Sequence, residues 1–279
     1  MMELVPAILA GAAGNCISEC AKRGCDWLVE KYRPHSPKVQ AKAQENAQNY
    51  LDRLAQRVER LEKEYPSAKS LIDEALDHPG TALLIQKALI SAAATDNETR
   101  HALLTELIAQ RLTAEPEDNI ALIGSAACDV IGSLSTRQIQ TLGVMARVFY
   151  IPGLKNPPQF PNQNEYDAVL LAWWSALDTL LQGLDQMSGL DLMHLEALSC
   201  ITINRALIGG IDLTATINRP FANERFFTKT DTFKRQPWYP QFQKIWEGRI
   251  QRCSLTSVGI LIGTLYHDMA LNEHTAVKF

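Results

Sequence analysis

Glu117–Gly143 reads EDNIALIGSAACDVIGSLSTRQIQTLG, two helical runs separated by a tight break. Asp118–Gly132 predicts one helix. Ser135-Thr136-Arg137-Gln138 is a capping box, in which the serine hydroxyl and the glutamine side chain satisfy free backbone N–H groups reciprocally. It opens a second helix over Gln138–Ile151. So short a loop favours antiparallel neighbours in a bundle. The fold expected from this stretch is mainly α.

The same punctuation continues toward the N-terminus. Thr95-Asp96-Asn97-Glu98 is a second capping-box pattern, with Thr95 and Glu98 as its reciprocal pair, and it starts a helix carrying the stripe Leu103, Leu104, Leu107, Ile108 and Leu112. Pro116 ends that helix. Shorter helices are expected over Ser67–His78 and, after Pro79-Gly80, over Thr81–Ala94. Before them, Ala47, Leu51, Leu54, Val58, Leu61 and Tyr65 recur in steps of four and three, flanked by charged residues. This seam suits an intramolecular hairpin or a dimer, with the hairpin favoured because the repeat is short. Pro34 and Pro37 precede it. Residues 1–33 read as one amphipathic helix whose stripe includes Leu4, Ile8 and Ile17. That stripe can pack on the body, self-associate or lie on a membrane surface. The apolar run is too short to span a bilayer, which takes about 20 residues.

Toward the C-terminus, Pro152, Pro157, Pro158 and Pro161 interrupt the pattern, so residues 152–164 are the expected linker. They separate a helical bundle (34–151) from a second domain (165–279). That domain reads as a long helix over Glu165–Gln186, a helix from Gly189 through Leu192, Leu195 and Leu198, and a short β-branched strand at Ile201-Thr202-Ile203. A second strand is expected over Ile250–Leu255 and a closing helix over Ser257–Leu271. Leu255-Thr256-Ser257-Val258-Gly259 makes physical sense as a strand-to-helix junction. Leu255 plugs the strand end, Thr256 or Ser257 caps the helix, and Gly259 permits close approach of a neighbour. With Gly189–Cys200 in the recognition-helix position and Ile201–Ile203 as the first wing strand, the C-terminal part reads as a degenerate winged helix.

Residues 219–252 differ from the rest. They hold eight basic and three acidic residues, a local balance of +5 that leaves −9 elsewhere, together with eight of the 20 aromatics. A basic, aromatic segment suggests a surface for an acidic protein partner or for nucleic acid, with Lys229, Lys234, Arg235, Trp238 and Trp246 as its residues. The alternative is an aromatic-cored excursion with solvated charges. The overall charge of −4 and pI near 5.9 argue against indiscriminate nucleic-acid binding by the whole surface. The Gly189 helix carries no Lys or Arg in its first turns, which is poor for a major-groove reader.

Catalytic signatures are missing. The sequence has no glycine-rich dinucleotide or phosphate loop, no HExxH and no nucleophile elbow. Six cysteines in a chain of 279 residues do not make a disulfide scaffold, and Cys16, Cys20 and Cys25 are poorly arranged for a metal. His267 and His274, with Asp268 and Glu273 nearby, form the only cluster resembling an acid–base or metal site, and solvated helix-end residues explain it as well. Asp212, Glu224, Asp231 and Glu247 could supply a carboxylate set to a cryptic nuclease or hydrolase, but no spacing selects them. No catalytic residue, metal or cofactor is expected.

Two stretches resemble the Abi-alpha family. Glu117–Gly143 is similar to its helix, serine-capped start and following helix. Cys253–Gly263, CSLTSVGILIG, is similar to the LT-x-x-G turn that closes that family and many winged-helix domains. The resemblance covers the chain from about residue 80 onward, and the Ala- and Gly-rich N-terminal helix followed by a charged one also fits. It implies bacterial anti-phage defence by abortive infection and carries over no catalytic residues. The expectation is a non-enzymatic cytoplasmic protein that acts with a protein partner or as a homo-oligomer. Peripheral membrane contact through Leu4, Ile8 and Ile17 is a further expectation, and nucleic-acid binding by residues 219–252 is the alternative.

Overall fold

The computed structural model describes residues 26–64, 68–114, 119–153, 159–184, 187–206, 210–221, 225–273 and 275. They are mainly helical, with one two-stranded antiparallel sheet among them. The chain divides into two compact units, Met1–Leu134 and Ser135–Phe279. The division falls upstream of the proline-rich segment, for a packing reason. The helix that begins at Thr136 lies against the last helix of the chain, which draws residues 135–151 into the second unit.

The first unit contains a helical stretch at 26–32 (α1), then α2 (Pro37–Glu64), α3 (Ala68–Asp77), α4 (Pro79–Ala93), α5 (Glu98–Thr113) and α6 (Asn119–Ile131). The seam on α2 turns inward: Ala47, Leu51, Leu54, Val58 and Leu61 are buried as α2 packs on α4 and α5. Leu103, Leu104, Leu107, Ile108 and Leu112 of α5 are all buried as well. The seam is thus filled within the chain. The start of α5 differs from the expected capping box. Asn97 is the cap, its side chain accepting from the Arg100 N–H, while Thr95 Oγ1 accepts from the Asn97 N–H. His101, unremarkable in the sequence, is buried, and its Nε2 faces the Ala92 and Thr95 carbonyls at 3.1 and 2.9 Å. Carbonyls only accept, so Nε2 carries the proton and closes the end of α4.

The second unit comprises α7 (Thr136–Met145), a π-turn (Ala146–Tyr150), α8 (Gln163–Trp174), α9 (Ala176–Leu180), α10 (Gly189–Ala197), β1 (Ile201–Ile203), α11 (Leu213–Asn218), α12 (Thr230–Phe233), α13 (Tyr239–Glu247), β2 (Cys253–Leu255) and α14 (Ser257–Leu271). The Ser135–Gln138 capping box forms as expected. β1 pairs antiparallel with β2, Ile201 opposite Leu255 and Ile203 opposite Cys253. Thr256 caps α14 by accepting from the Gly259 N–H. A Cβ on Gly259 would lie 1.9 Å from the Cys200 carbonyl oxygen, so only glycine lets α14 start this close to the α10–β1 corner.

Three elements depart from expectation. The predicted helix 165–186 breaks at Ser175, whose hydroxyl donates back to the Ala172 carbonyl at 2.7 Å, while the Trp174 indole N–H donates to the Ile217 carbonyl at 2.9 Å. The helix from α7 widens into the π-turn, whose Val148 and Ile151 carbonyls accept from Arg219 at 3.1 and 3.2 Å. The predicted strand 250–255 keeps only its second half, because Ile250–Arg252 forms a 3₁₀ turn. Residues 1–25, with Leu4, Ile8 and Ile17, lie outside the described residues. Among the described residues no helix is long and apolar enough to cross a membrane.

Candidate functional site

Six of the eight aromatic residues of the 219–252 segment face inward, while Phe226 is half-buried and Phe227 is exposed. Trp238 and Trp246 are each 3% exposed, and Phe221, Phe233, Tyr239 and Phe242 are buried with them. Phe242 is the hub: its ring centroid lies 6.0 Å from Trp238, 5.9 Å from Trp246 and 6.3 Å from Trp174. These distances suit edge and tilted aromatic packing. Trp238 and Trp246 are therefore core residues and do not offer stacking faces to a base. This corrects their assignment to a binding surface. The physical reason is the spacing 238, 242, 246, which puts all three rings on one side of α13.

The basic residues of the segment divide by environment. Arg219 is spent on the π-turn, and burial pulls its guanidinium below the ordinary arginine value. Lys234 pairs with Asp231 at 2.5 Å, a hydrogen bond that raises the lysine and lowers the carboxyl. Lys229, Arg235, Lys244 and Arg249 are exposed. The unit that holds them contains 13 Lys and Arg against 12 Asp and Glu, so it is close to neutral as a whole.

The His267 cluster resolves into a buried polar centre. Arg147, 3% exposed, projects from the π-turn and lies flat on Trp173, its guanidinium carbon 3.4 Å from the ring centroid. It donates to the Trp173 carbonyl at 2.6 Å and to His267 Nε2 at 3.2 Å. A guanidinium has no acceptor, so His267 Nε2 accepts and the imidazole proton sits on Nδ1, facing Asp268 Oδ1 at 3.0 Å. Asp268 also accepts from the backbone and hydroxyl of Thr275 at 2.6 and 2.7 Å. Burial pulls Arg147 down to about 10, with Glu273 opposing the shift. Both imidazole nitrogens are engaged within the centre, and the ring is fully buried. The centre ties α8, the π-turn and the end of α14 together. Among the described residues no group of three His, Cys, Asp or Glu is placed to hold a metal, and His274 lies outside them.

A third feature has the character of a contact surface. Helix α10 buries Leu192 and Leu195, yet it exposes Leu190 to 77% and Met193 to 58%, one turn apart on the opposite side. Its two carboxylates are occupied internally. Asp191 accepts from the Ser188 N–H and hydroxyl, and Glu196 accepts from the Ile203 N–H and pairs with Arg205 at 2.7 Å. A Cβ on Gly189 would meet Arg249 Nη1 at 3.6 Å, so this guanidinium flanks the first turn of the helix. Arg249 is also left-handed, at φ 92°. The sequence signal for this face is that α10 is apolar on more than one side, whereas a surface helix needs a single apolar stripe.

A family model described only as “:-like” matches residues 14–230. The chain belongs to that family. The description attaches no activity to it. No curated protein and no solved structure matches the chain.

Proposed function

We propose that this protein acts by association with another protein, and that α10 of the second unit is the contact helix. One observation carries the reading: Leu190 and Met193 form an exposed apolar ridge on a helix whose other side is already committed to the core. The helix–strand–strand–helix order of α10, β1, β2 and α14 is compatible with a degenerate winged helix, a fold that serves protein contact as well as DNA contact. The lack of Lys and Arg on α10 favours the protein side. The resemblance to Abi-alpha proteins supports a setting in abortive-infection defence in the cytoplasm, and the apolar sequence pattern of Leu4, Ile8 and Ile17 supports self-association or peripheral membrane contact. The nucleic-acid alternative keeps its exposed cations and loses both tryptophans.

The test is Leu190→Asp combined with Met193→Asp in the full-length protein, expressed in the native host with and without phage challenge. Partners recovered with the wild type are expected to be lost from the double variant, and phage restriction with them, while circular dichroism and melting stay unchanged. An identical partner set and intact restriction would remove α10 from the function.

A further inference from the structure

The α10 ridge has a charged neighbour that its own unit does not use. The Arg249 guanidinium lies beside Gly189 at the start of the helix. Exposed Arg249 makes no ion pair or side-chain hydrogen bond among the described residues, whereas the carboxylates of α10 are already occupied. Two physical costs attend its placement. A cation at a helix N-terminus opposes the helix dipole, which favours negative charge there. A left-handed backbone at φ 92° is unfavourable for arginine and easy for glycine. Gly248 is the adjacent residue, yet the positive φ falls on the arginine. Neither the fold of the turn nor the stability of α10 accounts for a guanidinium at this position. Strained residues of this kind concentrate at contact and ligand sites.

We infer that the partner of α10 is an acidic amphipathic helix of another protein, whose apolar residues cover Leu190 and Met193 while a carboxylate pairs with Arg249. This rests on the reading of α10 as the contact helix. The argument is charge complementarity. Once Asp191 and Glu196 are discounted, the open charge at this edge of the ridge is positive, and a guanidinium prefers a carboxylate in forked geometry. Leu190 and Met193, one turn apart, suit apolar side chains at helical spacing on the incoming segment.

The experiment selects displayed amphipathic helical peptides, randomised at apolar and charged positions, on the full-length wild-type protein. Binding of the enriched peptides is then measured to Arg249→Gly, Arg249→Glu and the Leu190→Asp, Met193→Asp double variant. Arg249→Gly relieves the positive φ and so keeps the fold while deleting the side chain with its charge. Enriched peptides are expected to carry an acidic residue beside an apolar i, i+4 pair, to weaken with added salt, and to lose roughly tenfold or more in affinity to Arg249→Gly. Arg249→Glu should cost more, and the double variant should not bind. Peptides without an acidic preference, or bound equally by Arg249→Gly, would overturn the acidic partner and leave α10 as a contact helix. Peptides indifferent to the double variant, or no enrichment over it, would overturn both. A dimer in sedimentation that the double variant abolishes would assign the surface to a second copy and also overturn the inference. So would an RNA oligonucleotide whose binding Arg249→Gly abolishes, because the surface would then serve nucleic acid.

Discussion

The two units close helical cores with different materials. Among the described residues of Met1–Leu134 the core is mainly aliphatic, with Tyr50 and His101 inside it, and lies on long periodic helices, while Arg57 with Glu106 and Lys87 with Asp129 pair nearer the surface. In Ser135–Phe279 the helices are short, the core is aromatic around Phe242, and two arginines, Arg147 and Arg219, reach inward to backbone carbonyls. Long amphipathic helices need little besides their stripe to find one another. Short elements with weak periodicity need polar anchors and close backbone approach to specify a single arrangement. Four of the five tryptophans lie in the second unit, so fluorescence follows that unit while circular dichroism follows the whole chain.

The comparison breaks most readily at the aromatic hub. Trp246→Ala should destabilise the second unit by about 3–5 kcal/mol, the usual cost of deleting a large buried ring. Chemical denaturation read by fluorescence would show it. A loss under about 1 kcal/mol would return Trp246 to the surface.

Glycines sharpen the contrast at the next level. Gly259→Ala drives a Cβ into the Cys200 carbonyl and should cost about 3 kcal/mol, the upper part of the overpacking range. In the first unit, a Cβ on Gly124 meets Leu84 and Leu107 side chains at 3.7 Å, which is ordinary contact. Gly124→Ala should therefore stabilise by about 0.5–1 kcal/mol through helix propensity. Parallel melting curves of the two variants decide the matter. Equal and opposite shifts in the other direction would mean that the close approach at Gly259 is absent.

Alkaline pH tests both units at once. Burial pushes Cys128 of the first unit and Cys200 of the second from the ordinary thiol value of 9 up to about 12, and Cys253 up to about 11. In each case the folded state holds its proton where the unfolded chain has lost it. The associated stability is complete below pH 9 and is lost as pH rises toward 11–12. By pH 10 the loss should be roughly 1 kcal/mol for Cys128 and for Cys200, and less for the partly screened Cys253. The second unit should therefore weaken more. Denaturation at pH 8 and pH 10, repeated with Cys200→Ser, measures its share.

The smallest effect lies in the surface pairs of the first unit. Arg57→Ala removes a guanidinium whose Nε lies 2.8 and 3.0 Å from the two Glu106 oxygens, and should cost about 0.5–1 kcal/mol. Added salt should shrink the difference between variant and wild type. A salt-independent loss would show that Arg57 contributes through its buried stem.

Local chemistry was legible in the sequence by itself. The seam of α2, the stripe of α5, the Ser135 capping box and α14 from its Thr256 cap rest on patterns a few residues apart, which the sequence shows side by side. What the tertiary structure decided depends on partners far along the chain. Ser175 ends α8 where Trp174 reaches Ile217, 43 residues on. The π-turn is held by Arg219, 71 residues from Val148, and Arg147 finds His267 at a separation of 120. One local choice was also settled by the structure alone, that of Asn97 over Thr95 as the cap of α5, two side chains equally suited to the role. Trp238 and Trp246 have the composition of a binding surface, and only the packing of α13 shows them to be core. The same packing leaves Leu190, Met193 and Arg249 outside, because a helix with apolar residues on two sides can bury only the side its neighbours cover.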